Sequence, residues 1–83
     1  MKHDIFLQLR NIVADHLRIR PAEVTLPASF RDDLQADSLD AMEMIIDFEE
    51  AFGVVISDTE VDMILTVQDA VDHITAKMEP SSP

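Results

Sequence analysis

The sequence predicts an all-α domain: a four-helix bundle of three longer helices and one short one, with a long first loop. Three observations lead there. Gly53 is the only glycine, and Trp and Tyr are absent, whereas a β-rich fold draws on turn glycines and aromatics. Apolar residues recur at helical spacing in several segments. Hydrophobic residues make up 47% of the chain, enough to build a core. At 83 residues there is room for one small domain, whose core is marginal in size.

The first helix is predicted from Asp4 to about Leu17. Ile5, Leu9, Ile12, Val13 and Leu17 make its apolar stripe, with Phe6 beside them. A long connection follows from Ile19 to Asp37, where Pro21 and Pro27 interrupt regular helix. Val24, Leu26, Phe30 and Leu34 can pack it, with one helical turn around Phe30 to Leu34. The second helix runs from Ser38 to Phe52, capped by Asp37 and ended by Gly53. Val54-Val55-Ile56 reads as a buried connector, since a lone strand would have no partner. Ser57-Asp58-Thr59-Glu60 has capping-box spacing and opens a short third helix to about Met63 or Ile64. Thr66-Val67-Gln68-Asp69 resembles a second cap. Val67, Ala70, Val71, Ile74 and Met78 then form the stripe of the fourth helix. The domain is expected to span residues 1–79, with a frayed tail at 80–83.

The charge narrows the partners. There are 17 acids and 6 bases, for a net charge of −11. Five of the bases lie at or before Arg31 and the sixth is Lys77, so residues 32–76 hold 13 acids and no base. Nucleic acid and anionic membranes call for a basic face and are not expected as partners. A protein with a basic patch is the natural complement. No cysteine occurs, so disulfides, thiolate metal sites and cysteine nucleophiles are excluded. No apolar run reaches the ~20 residues of a membrane span, and no signal peptide is visible. A cytoplasmic monomer is expected.

The second helix carries two apolar stripes. At 100° per residue, Ala41, Met44, Ile45, Phe48, Ala51 and Phe52 share one broad arc, the core face. Asp40, Glu43, Asp47 and Glu50 lie opposite. Leu39, Met42 and Ile46 form a narrow stripe between those acids and Ser38. Two readings fit it: burial against the long connection, or an exposed docking strip with an acidic rim, where flexible Met suits several partners.

Ser38 opens this helix. Serine there is commonly a cap. A nucleophile would need an oriented base and a strained elbow. His3, His16 and His73 lie in other segments, and the elbow is absent, so no catalytic residue and no metal site are assigned. A third role needs no base: a separate transferase attaches a phosphate-linked group to the hydroxyl, at a helix terminus whose dipole favours phosphate.

Asp32-Asp33-Leu34-Gln35-Ala36-Asp37-Ser38-Leu39-Asp40 resembles the attachment motif of acyl carrier proteins. Met42 to Phe52, ending Phe48-Glu49-Glu50-Ala51-Phe52, is similar to their second helix. Thr66-Val67-Gln68-Asp69-Ala70 with Ile74 looks like their last helix. The resemblance spans about residues 4 to 78. It implies a covalent 4′-phosphopantetheine arm on Ser38, supplied by coenzyme A, whose thiol carries acyl groups as thioesters. It also implies that Asp37, Leu39, Asp40, Met42, Glu43, Ile46, Asp47 and Glu50 meet basic patches on a phosphopantetheinyl transferase, acyltransferases, ketosynthases and reductases. The cargo would be fatty acyl or polyketide, held in an apolar interior lined by Met44, Ile45, Phe48, Ile64 and Val71. The family usually has Gly three residues before the serine. Gln35 stands here, and Gln tolerates positive φ poorly, which leaves the local backbone open. Ser57 replaces a frequent Pro before the third helix. Met1 and the short tail are consistent with a free-standing carrier. The rivals are an aminoacyl or peptidyl carrier, and an acidic helical adaptor with no prosthetic group.

Overall fold

The computed structural model describes residues 2–78. It is all-helical, with α1 Lys2–Leu17, α2 Ser38–Phe52, α3 Asp58–Met63 and α4 Val67–Met78. One 3₁₀ turn, Pro21–Glu23, sits in the long loop, with Pro at its start. The helix α1 begins two residues before the predicted Asp4. The tail predicted at 80–83 lies outside the described residues.

Each boundary has a local cause. Asp37 caps α2: its Oδ1 accepts the Asp40 N–H at 2.8 Å, and Asp40 Oδ2 accepts the Asp37 N–H at 3.3 Å. Gly53 ends α2 in the left-handed conformation, φ 66°. Its N–H and that of Val54 both return to the Glu49 carbonyl. Ser57 and Glu60 cap α3 reciprocally. Thr66 and Asp69 do the same for α4, the Asp69 carboxylate accepting from the Leu65 and Thr66 N–H groups. The end of α1 uses the same device as α2 without a glycine. Arg18 adopts φ 58°, and the Ile19 N–H returns to Ala14.

The core collects one face of each long helix. Ile5, Leu9, Val13 and Ala14 of α1 meet Met44, Phe48 and Phe52 of α2 and Val67, Ala70, Val71 and Ile74 of α4. The loop supplies Val24, Ala28, Phe30 and Ala36, and the connector supplies Ile56. Val54 is only half-buried and Val55 is exposed, so the connector is buried at Ile56 alone. There the Glu49 carboxylate accepts the Ile56 N–H at 2.8 Å.

Two features of the long loop position the site. Ser29 and Thr66 form an isolated antiparallel bridge. The Phe30 N–H donates to Leu65, and the Val67 and Gln68 N–H groups donate to Ala28 and Leu26. The loop is thus fastened to the α3–α4 junction. The turn expected around Phe30 to Leu34 is present as hydrogen-bonded turns: the Asp33 and Leu34 N–H groups share the Ser29 carbonyl. Gln35 then takes φ 57°. That left-handed residue lets the Ala36 N–H turn back to the Phe30 carbonyl at 2.8 Å and delivers Asp37 to the cap.

Candidate functional site at the start of α2

Ser38 is the first residue of α2 and is exposed. Asp37 does the capping, so the serine hydroxyl is not consumed by it. The recess beside Ser38 is lined by Phe30, Arg31, Ala36, Ala41 and Leu65, among others. Arg31, exposed on the loop, is the last base before the acidic stretch.

The two stripes of α2 go to different places. Met44, Phe48 and Phe52 are buried in the core, whereas Leu39, Met42 and Ile46 are 63%, 62% and 51% exposed. Of the two readings of the narrow stripe, burial against the loop is therefore overturned. The loop leaves the helix at Asp37 and packs through Phe30 and Ala36 on the other side. Glu43, Asp47 and Glu50 border the stripe and are exposed, and Asp40 is half-buried. Leu65, 64% exposed, borders the Ser38 recess, and Met63 at the end of α3 is 58% exposed.

Under the other face of α2, Met44, Ile45, Phe48 and Ile64 line one apolar cavity of about 50 Å³, joined by Phe30, Ala41 and Val61. Val71 does not belong there. It is fully buried in α4 and borders a separate recess with His3, Phe6, Leu26 and Gln68. Helical pattern marked Val71 as inward-facing but could not say toward which neighbour. The cavity has room for a few small groups and none for a long chain.

The wall that α3 gives this cavity is held from α4. Lys77 Nζ lies 2.7 Å from Glu60 Oε1, and His73 Nδ1 lies 3.9 Å away. The Lys77 ammonium and the Ser57 N–H hold the Glu60 carboxyl at about 2, below its usual 4.5.

Sequence reasoning left His16 unplaced. In the structure its ring, on the last turn of α1, faces Asp40, Glu43 and Asp47 of α2. No local signal could have found it, because 24 residues separate His16 from Asp40.

An exposed serine on a helix terminus, next to an apolar strip that no described residue covers and beside a small, partly open apolar cavity, fits a small helical carrier domain. The phosphopantetheine attachment site family matches residues 7–74, and the chain belongs to that family. It is 48% identical over 73 residues to the acyl carrier protein of Rubrobacter xylanophilus, covering 88% of this chain and 90% of that one. It superposes on the solved acyl carrier protein of Enterococcus faecalis with a TM-score of 0.79 at 34% identity, covering 93% of this chain and 98% of that one. The prosthetic group of such proteins is a covalently attached 4′-phosphopantetheine. The residues fit it: the Ser38 hydroxyl is exposed, is spared by the cap, and opens on a recess that carries one cationic side chain. No helix among the described residues is long and apolar enough to cross a membrane.

Proposed function

We propose that this protein is a non-catalytic carrier that holds fatty acyl or polyketide intermediates as thioesters on a 4′-phosphopantetheine arm at Ser38. The observation that carries the reading is the exposed hydroxyl of Ser38 beside Leu39, Met42 and Ile46. Partner enzymes with basic patches meet Asp37, Asp40, Glu43, Asp47 and Glu50, while the apolar strip adds contact area. The acidic rim speeds encounter and sets orientation more than it adds affinity. The arm's thiol supplies the nucleophile that a chain without cysteine lacks.

The cavity under α2 receives the cargo. It is apolar, and its lid is α3, only six residues long. At about 50 Å³ it must widen to accept an acyl chain, and movement of the short helix is the least costly way. The cytoplasm is the compartment that this reading expects, and the protein acts there as a monomer.

Incubation with coenzyme A and a broad-range phosphopantetheinyl transferase tests the reading. Intact-protein mass spectrometry should show one added phosphopantetheinyl group, and peptide mapping should place it on Ser38. Loading the product with acyl or aminoacyl groups by cognate ligases then separates an acyl carrier from an aminoacyl one. A mass gain placed elsewhere than Ser38 would overturn the assignment.

A further inference from the structure

Outside the serine site, one cluster gathers donor atoms from two helices. His16 Nε2 on α1 lies 3.3 Å from Asp40 Oδ1 and 3.4 Å from Glu43 Oε1 on α2. The three donor atoms all lie within 4.8 Å of one another. We propose that His16, Asp40 and Glu43 form a divalent transition-metal site of the zinc class, bridging α1 and α2.

Three features support it. The first is spacing. Zinc binds nitrogen and oxygen at about 2.0–2.1 Å in a tetrahedron, so neighbouring ligand atoms stand about 3.3 Å apart. Both distances from His16 Nε2 match that edge. Only the gap between the two carboxylates has to close, and Glu43, with its side chain 53% exposed, is free to move.

The second is the far side of the ring. A metal-bound histidine typically turns its other nitrogen to a carboxylate, which fixes the ring and raises its basicity. His16 Nδ1 faces Asp47 Oδ2 at 3.8 Å, just beyond hydrogen-bond distance, so a small shift of the exposed Asp47 side chain would make it that supporting group. The ring is held between the helices, its side chain only 17% exposed, and little of its freedom is left to lose on binding. The third is access. His16, Glu43, Ile46 and Asp47 border an open recess, which admits the ion and leaves its remaining positions to water. The nitrogen ligand sets the metal: imidazole suits zinc, nickel and copper, while magnesium and calcium take oxygen alone.

The ion would act on docking. Two positive charges beside Asp40, Glu43 and Asp47 cancel much of the rim that a basic partner meets. Metal and partner would therefore weaken each other's binding by the same factor. This consequence rests on the carrier reading; the metal site does not.

The test uses the chelator-treated, ¹⁵N-labelled full chain at neutral pH, titrated with zinc chloride or magnesium chloride. Long-range ¹H–¹⁵N spectra should show saturable movement of the His16 ring with zinc, with His3 and His73 unmoved, and no such movement with magnesium. Calorimetry should give one zinc ion per chain. His16→Gln and Glu43→Gln should each lower zinc affinity at least about tenfold. Glu43 is exposed, so its variant keeps the fold and decides the matter if His16→Gln does not fold. An unmoved His16 ring would overturn the site. So would unchanged zinc affinity in Glu43→Gln, or magnesium binding as tightly as zinc. Failure of Ser38 to accept phosphopantetheine would leave these results untouched, so the two readings fail separately.

Discussion

The two apolar faces of α2 use the same residue types and end in opposite surroundings. Met44 and Phe48 are almost wholly buried, yet Met42 and Ile46, each two positions away, are more than half exposed. Hydrophobicity alone does not separate them. What separates them is supply: α1 and the long loop cover one side of α2, with α4 behind α1, and among the described residues none covers the Leu39 side. An apolar strip left open and rimmed by carboxylates marks a surface for contact, whereas the inner strip is ordinary core. The inner face sets stability, and under the proposed function the outer face is the one that partners meet.

The sharpest way to break the comparison is to truncate one residue on each face. Phe48→Ala should cost about 3–5 kcal/mol of stability, through lost burial and the cavity left behind. Ile46→Ala should stay within about 0.5 kcal/mol, as exposed substitutions do. Urea unfolding of the two variants checks this, and equal losses would mean that the outer strip is covered in solution.

The backbone gives a smaller effect. Gln35 and Gly53 occupy the same left-handed region, φ 57° and 66°, but only glycine does so without a Cβ penalty. Gln35→Gly should therefore stabilise the protein by up to about 1 kcal/mol, the relief of strain being partly offset by a freer unfolded chain. Gly53→Ala should destabilise by about 1 kcal/mol through the same strain. A loss of stability in Gln35→Gly would show that the glutamine is not strained.

The acidic rim should be felt in rates. Glu43→Lys or Asp47→Lys should slow association with a basic partner at low salt, and the difference should shrink as salt rises. Stopped-flow association across a salt series measures this. Stability should move little, which keeps the outer face distinct from the inner one.

The smallest effect concerns the lid of the inner cavity. Glu60 is held near 2 by Lys77 and the Ser57 N–H. A lowered carboxylate adds stability that is fully present above its unfolded value of about 4.5 and is lost as pH falls toward 2. Hydrogen exchange in α3 should therefore be slower in the wild type than in Lys77→Gln above pH 4.5. The two should converge as the pH approaches 2.

Much of this was legible in the sequence because its causes are local. Asp37 with Asp40 and Ser57 with Glu60 are reciprocal caps three residues apart, and Gly53 is a helix stop. The bounds of α2 and the start of α3 follow from them. The start of α2 at Ser38 and the two apolar stripes of the helix were legible for the same reason. What was not legible depends on contacts between distant segments. The Ser29–Thr66 bridge, the approach of His16 to the acids of α2, and the placement of Val71 away from the cavity are set by packing. The left-handed Arg18 and Gln35 escaped for another reason: neither residue type signals that conformation, and the surrounding hydrogen bonds impose it.

The central claim is that the outer strip of α2 serves recognition and contributes little to folding. A Met42→Ser/Ile46→Ser double variant tests it when thermal unfolding and transferase kinetics are measured on the same samples. The account predicts a melting temperature within about 4 °C of wild type, together with a clear fall in kcat/KM for phosphopantetheinylation of Ser38. Unchanged kinetics with a lowered melting temperature would contradict it, because the strip would then belong to the fold.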